Sequence, residues 1–308
     1  MEILVFGAGA IGSFFGGVLS RRHEVTLIGR AEHVAAIRSH GLCISGKTRM
    51  TARPRAETRV PRAARPQLVF VTTKAYDTAD AMRALRRFGD RSTFVTLQNG
   101  LGNAETIARS ARRVVAGTTT HGVTYVGPGH VRHAGVGDTV LGAWAHVSEP
   151  EVVRLQDLLG TVGIVAHATP DIRAELWSKL IINAAINPVA ALANVPNGQL
   201  VRDTRLLRVL ETVCDEAVTV AVAEGMGIEG EEIRRRVREV ARRTARNRSS
   251  MLQDLDRCHR TEIDAITGAL VHTADRHGIG APMNRALYAI VRAREFAARD
   301  GAGRNVPD

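Results

Sequence analysis

Lysine is almost missing from this chain. Of 42 basic residues only Lys47, Lys74 and Lys179 are lysine, and every other one is arginine. Arginine does not release a proton near neutral pH, whereas lysine can when burial lowers its pKa. A lysine kept in so arginine-rich a chain is therefore a candidate for proton chemistry. Cysteine is equally sparse. Cys43, Cys214 and Cys258 are odd in number and scattered, with no CxxC, which argues against a disulfide frame or a zinc site and fits reduced cytoplasmic thiols. No uninterrupted apolar run approaches the ~18 residues that would suggest a membrane span. The opening MEILVFG leads straight into a strand pattern, without the basic segment and small-residue cleavage site of a secretory signal. Aromatic residues make up only 4%, and no RNP-like or finger motif accompanies the net charge of +11. That charge is spread along the sequence, where it suits an anionic small ligand better than nucleic acid. The expectation is a cytoplasmic protein with neither a nucleic-acid nor a membrane partner.

What is present points to two domains. A length of 308 residues with 44% hydrophobic content allows two cores. Glu2–Phe6 is a short apolar run, and Gly7-Ala8-Gly9-Ala10-Ile11-Gly12 follows it. Helical spacing continues from Ile11 to Leu19, and Glu24–Ile28 reads as a second strand. This is GxGxxG in the βαβ context it requires. The first glycine makes the turn, the second lets backbone N–H groups approach a pyrophosphate, and the third lets helix and strand pack closely. The second strand ends at Gly29-Arg30. Arg30 stands where an acid would repel a 2′-phosphate, which favours NADPH over NADH, although Glu32 is a competing acid close by.

Further strands are expected at Gln67–Thr73, Ser92–Leu97 and Val114–Thr120, with Lys74, Asn99 and the His121-Gly122-Val123 segment on the rim beyond their carboxyl ends. Leu42–Val60 reads as irregular strands and loops, and Val123–Leu141 as antiparallel strands joined by a turn. His121, His130 and His133 lack metal-ligand spacing and read as structural or surface residues, so no metal site is expected. A helix at Pro150–Leu159 and a strand at Gly163–Ala168 close a doubly wound α/β domain of the Rossmann type over 1–168.

The strand pattern stops at Asp171, and 169–308 reads as an all-helical domain. Helices are expected at about Leu206–Glu224, Glu231–Arg246, Asp254–His277 and Asn284–Arg299, with Arg234–Arg248 largely a solvated face. The first helix, Arg173–Asn187 closing on Pro188, places Glu175, Lys179, Asn183 and Asn187 along one drifting stripe. Trp177, Ile181, Ala184 and Ala185 cover the opposite side. So apolar a helix is buried or nearly so, and polar groups on it need partners. Taken alone, Glu175 and Lys179 read as an i,i+4 surface pair, Ser250 as a helix N-cap and Glu262 as an exposed carboxylate.

The order GxGxxG, TTKAYD, QNGLG, GTTTHG, ELWSKLIINAAINP, NGQL, NRSSMLQD and TEIDAITG resembles the ketopantoate reductase family (2-dehydropantoate 2-reductases) over nearly the whole chain. The second-half motifs are the more specific ones, and Pro54–Arg65 carries no family signal. The resemblance implies NADPH-dependent reduction of 2-dehydropantoate to pantoate in pantothenate and coenzyme A biosynthesis. By the same resemblance Lys179 is the general acid and Glu262 its acidic partner. Cofactor contacts fall on Gly7, Ala8, Gly9, Ala10, Ile11, Gly12, Arg30, Lys74, Asn99 and Val123, the last through its backbone. Substrate contacts fall on Asn99, Asn183, Asn187, Asn197 and Ser250. A reductase of another branched 2-keto acid, and an NADPH-binding regulator, are the alternatives. Monomer and homodimer both stay open, as does the net pKa of Lys179, which burial and Lys74 would lower and Glu262 would raise.

Overall fold

The structure, a computed structural model, describes residues 1–303, with side chains described through Ala297. Two compact units emerge: Met1–Gln98 with Gly102–Glu175, and Asn99–Leu101 with Leu176 onward.

The first unit contains β1 (Glu2–Phe6), α1 (Ala10–Leu19), β2 (Glu24–Ile28), α2 (Ala31–His40), β3 (Leu42–Gly46), β4 (Met50–Ala52), β5 (Arg55–Glu57), β6 (Leu68–Val71) and α3 (Thr78–Leu85). It continues with β7 (Thr93–Thr96), α4 (Asn103–Ala108), β8 (Arg113–Thr119), β9 (Gly122–Gly127), β10 (His130–Gly135), β11 (Thr139–Ala145), α5 (Glu149–Gly160) and β12 (Ala166–Ala168). The main sheet runs β12-β11-β8-β7-β6-β1-β2-β5. Its pairs are parallel except β11 against β8. Central strands read as continuous apolar runs because both faces are covered. Along them, Ile3, Val5, Phe70, Val95 and Val115 fill one core, and Leu4, Val69, Val71, Phe94 and Val114 the other. Strand order reverses at β1, between β2 and β6, and a doubly wound sheet opens its ligand crevice beyond the carboxyl ends at such a point.

The Arg-rich stretch after α2 is more regular than expected. β3 and β4 join β10 and β9 in a separate sheet of order β4-β3-β10-β9, and β5 extends the main sheet beside β2. Leu42, Ile44, Ala52 and Ala56 are the buried members of these short strands, and the arginines between them hide the alternation. The antiparallel stretch also divides: β9 pairs with β10 in the small sheet, while β11 crosses to the large one.

The second unit is helical: the bulk of α6 (Ile172–Ala193), then α7 (Gln199–Arg202), α8 (Thr204–Ala223), α9 (Gly230–Arg243), α10 (Ser250–Asp256), a π-helical turn at Asp264–Gly268, α11 (Ala269–Arg276) and α12 (Pro282–Gly303). The core takes Trp177, Ile181, Ala184 and Ala185 from α6 as the helical periodicity requires. By length and composition α6 alone among the described helices could cross a membrane, but 72% of its most apolar stretch is buried inside the protein, as in a core helix. Two expectations are corrected. α6 does not close on Pro188 but continues to Ala193, even though proline supplies no amide to the carbonyl four residues before it. The expected helix Asp254–His277 is interrupted after Asp256. Cys258 adopts a left-handed φ of 55°, and the chain resumes only at the π turn. On α9, Arg234, Arg235 and Arg238 pair with Asp215, Glu231, Glu232 and Glu211, so the arginine run there is an ion-paired surface. Residues 304–308 lie outside the described range.

Candidate active site

The glycine loop forms directly after β1 at the point where strand order reverses. Gly7 has φ +105°, and a Cβ on it would stand 2.5 Å from the Thr73 backbone nitrogen. A Cβ on Gly12 would meet the Gly7 carbonyl oxygen at 2.2 Å and Thr72 Oγ1 at 2.4 Å. These two positions admit only glycine because the loop, α1 and the end of β6 pack backbone to backbone. Gly9 differs: it is exposed, and a Cβ there meets nothing within 4 Å. It is the N-cap of α1, whose first turn carries no acidic residue. First-turn amides have no partner within their own helix, and the helix dipole adds positive charge there. An open backbone at such a terminus is a cradle for a pyrophosphate, so the loop fits a dinucleotide. Gly7 and Ala8 donate to the Ile28 carbonyl at 3.1 and 2.8 Å, which ties the loop to the end of β2. Ala10 and Ile11 are half-buried in the first turn of α1.

Arg30 follows β2, exposed, as the N-cap of α2, and Glu32 lies in that helix's first turn. Tyr125 on β9, which sequence reasoning missed, is close enough that both charges act on its phenol. Burial raises its pKa first, Arg30 opposes that and Glu32 adds to it. Lys74 caps a 3-10 turn just past β6 and is half-buried. Its loop is held by another residue that sequence reasoning passed over. Gln98 Nε2 donates to the Thr73 carbonyl and Thr78 Oγ1, each at 2.8 Å, and its Oε1 accepts from Thr96 Oγ1 at 2.9 Å. Nothing in the motif QNGLG separates this buried bracing role from a ligand contact. Val123 is half-buried on β9, opposite His133 in the small sheet.

His121 and His133 are built into the packing of this unit. His121 Nδ1 and His133 Nε2 share a hydrogen bond at 3.0 Å, and His133 Nδ1 reaches Thr48 Oγ1 at 2.9 Å. Both rings lie against Phe14. Desolvation, then the neighbouring His133, pushes the His121 pKa down to about 4.

In the helical unit, Lys179, Asn183 and Asn187 lie along α6 at successive i,i+4 positions, Lys179 and Asn183 half-buried and Asn187 buried. Desolvation pushes the Lys179 pKa from its ordinary 10.5 down to about 8, and the charge of Glu262 pulls the other way. The net direction left open by the sequence is therefore downward: burial outweighs the attraction. Glu262 is not the exposed carboxylate that its local sequence suggests. It is 8% exposed, and its Oε2 accepts from Asn99 Nδ2 at 3.1 Å. The Asn99–Leu101 segment is seated on the π turn: Leu101 N–H donates to the Ala265 carbonyl at 3.0 Å. A Cβ on Gly100 would come within 2.3 Å of the same oxygen. Lys179, Glu262 and Asn99, widely separated in sequence, thus form one constellation.

The remaining candidates distribute around it. Ser249, not Ser250, caps α10, accepting from Leu252 N–H at 3.2 Å and donating to the Asn187 carbonyl at 3.4 Å. Ser250 is the exposed first residue of that helix. The local pattern NRSS offers either serine, and burial selects Ser249. Asn197 is buried in the turn after α6. Its N–H donates to the Asn247 carbonyl at 3.0 Å and its Nδ2 to Thr244 Oγ1 at 2.9 Å, so it ties that turn to the end of α9.

A glycine loop that fits a dinucleotide in the α/β unit, and in the helical unit an ammonium acidified by burial and acted on by the Glu262 charge, are the features of a nicotinamide-dependent oxidoreductase. Known proteins agree. The family model for ketopantoate reductase PanE/ApbA matches residues 3–146, and that for its C-terminal domain matches 171–295. The 2-dehydropantoate 2-reductase of Halobacterium salinarum is 42% identical, covering 98% of this chain and 100% of its own length. Among solved structures, the PanE/ApbA family ketopantoate reductase from Ralstonia eutropha JMP134 aligns with a TM-score of 0.90 at 33% identity, covering 97% of this chain and 100% of its own. The ternary structure of D-mandelate dehydrogenase with NADH and anilino(oxo)acetate aligns with a TM-score of 0.93 at 26% identity, covering 97% and 99%. The chain belongs to the ketopantoate reductase PanE/ApbA family.

Proposed function

We propose that the protein reduces 2-dehydropantoate to pantoate with NADPH, in the cytoplasm, as a step of pantothenate and coenzyme A biosynthesis. The observation that supports this best is the acidified Lys179 ammonium beside Glu262 and Asn99. When bound, the nicotinamide supplies a hydride to the C2 carbonyl of the keto acid. As charge builds on the carbonyl oxygen, Lys179 stabilises it and hands over its proton. With a pKa of about 8, the amine is still mostly protonated at neutral pH, yet it gives up its proton far more readily than an ordinary lysine. Glu262 orients the ammonium and is itself oriented by Asn99. Asn183, Asn187, Asn197 and Ser250 hold the carboxylate and hydroxyl ends of the substrate, with Asn99 shared between substrate and cofactor. Gly7, Ala8, Gly9, Ala10, Ile11 and Gly12 receive the pyrophosphate. Lys74 and the Val123 backbone hold the rest of the nucleotide, and Arg30 the 2′-phosphate. The partner is a small 2-keto acid, with neither nucleic acid nor membrane, and the helical unit is a candidate homodimer face that sedimentation would report.

The likeness to D-mandelate dehydrogenase favours one second reading, in which the substrate is a different branched 2-keto acid handled by the same residues. A spectrophotometric panel tests both readings. With NADPH, kcat/KM for 2-dehydropantoate should exceed that of aryl and other branched 2-keto acids, and a reversed order would move the assignment to the second reading.

A further inference from the structure

We propose that Glu295, buried on α12, is a positioning residue for Glu262 and, through it, for Lys179. The inference rests on the catalytic roles proposed above and adds a member that no motif marks.

Glu262 does not sit on a regular helix. It lies in the stretch between α10 and the π turn, where backbone hydrogen bonding must be supplied from outside. Its own carbonyl accepts from the Ala265 and Ile266 N–H groups, each at 3.1 Å, on the carboxyl side. On the amino side the support comes from α12. Glu295 Oε1 accepts the N–H of Thr261 at 2.6 Å, and Thr261 is fully buried. Thr261 Oγ1 in turn accepts from the Ile263 N–H at 3.1 Å, bracketing Glu262.

Tyr288, Arg292 and Glu295 follow i, i+4, i+7 spacing and so share one face of α12. Apart from the pair Arg292–Glu295, their partners lie in Thr261–Asp264. Tyr288 Oη donates to Asp264 Oδ1 at 2.9 Å, and Arg292 bridges Asp264 Oδ2 at 3.3 Å and Glu295 Oε2 at 3.1 Å. Arg260 completes the set on Asp264 at 2.9 Å. Glu295 itself is 4% exposed. A buried carboxylate is costly unless charge-assisted hydrogen bonds satisfy it, and here they come from Arg292 and the Thr261 amide. The peptide leading into Glu262 is thus held by a side-chain oxygen placed from α12, a helix that contributes nothing else to the proposed chemistry. The charged groups around this arrangement are Arg260, Asp264 and Arg292 with the Tyr288 phenol, and next along the chain Glu262, whose charge acts on Lys179.

The test uses the full chain with E295A, E295Q and E295D. With only three lysines in the sequence, 13Cε-lysine labelling yields an NMR titration of Lys179 that requires no turnover, assigned with K179R. Glu262 attracts the ammonium, so its displacement lowers the Lys179 titration. E295A should move that midpoint down by about half a pH unit or more. It should also lower kcat about 10- to 100-fold, leaving the dissociation constant for NADPH unchanged. E295Q keeps an oxygen for the Thr261 amide and should restore both. E295D withdraws the oxygen but keeps the charge, so it should behave as E295A does and replaces it if E295A does not fold. Because Glu295 acts through Glu262, E262Q/E295A should be no slower than E262Q alone. Loss of thermal stability with the Lys179 titration and kcat unchanged would overturn the proposal. If the wild type reduces no 2-keto acid, the reaction assignment fails, and the titration still decides for or against Glu295.

Discussion

At the scale of single residues, the balance at Lys179 sets the expected pH response. Burial moves its pKa down to about 8 although Glu262 pulls upward. A proton donor must be protonated at the start of turnover, so kcat should be flat below this value and fall as pH rises through it. Glu262→Gln removes the upward pull and should shift that alkaline limb to lower pH. A limb near the pKa of ordinary lysine would show that desolvation does not act on the donor. Arg30 carries a second residue-scale prediction. Arg30→Asp should lower kcat/KM for NADPH at least about tenfold while leaving NADH nearly untouched, because only NADPH presents a phosphate at that position. Parallel kinetics with both cofactors check this, and an equal loss with each would remove Arg30 from the phosphate site.

At the scale of elements, the serine pair before α10 separates capping from ligand contact. Ser249→Ala removes the cap to Leu252 N–H and should cost about 1 kcal/mol of stability. Ser250→Ala should leave the urea midpoint unchanged and raise KM for the keto acid instead. The opposite pattern would return the cap to Ser250. Much of the element map was legible in the sequence because each signal is local and periodic. β1, the glycine turn, α1 and β2 follow from an apolar run, three glycines and helical spacing, and the buried face of α6 follows from Trp177, Ile181, Ala184 and Ala185. Less legible was whatever depends on partners distant in sequence. β3, β4 and β5 are too short, and too interrupted by arginine, to show an alternation. The break after Asp256 rests on a left-handed Cys258, a residue with no special turn propensity. Glu262 looked exposed because Asn99, which donates to it, and Lys179, on which its charge acts, lie far away in the chain. The glycine loop and the lysine helix could be read directly, whereas the bracing by Gln98 and Glu295 could not.

At the scale of the whole molecule, acid should weaken the fold before carboxylate protonation begins. His23, His33, His121 and His133 all have lowered pKa values, with burial the first cause at each, and His121 is the extreme at about 4. Folded protein therefore binds fewer protons than unfolded chain between that value and the ordinary 6.5. Stability then rises with pH across this window and falls on acidification. His121 alone contributes on the order of 2–3 kcal/mol by the bottom of the window. Urea midpoints should drop steadily from pH 7 to pH 5, and a flat profile would mean that the histidines are not held neutral.

Everything catalytic in this reading depends on one ammonium on α6. The most direct measurement follows NADPH absorbance with 2-dehydropantoate for the wild type and Lys179→Ala, alongside NADPH binding by fluorescence. The variant should bind the cofactor as tightly as the wild type and turn over at least about 100-fold more slowly. Turnover at the wild-type rate with Lys179 absent would contradict the assignment of the proton donor.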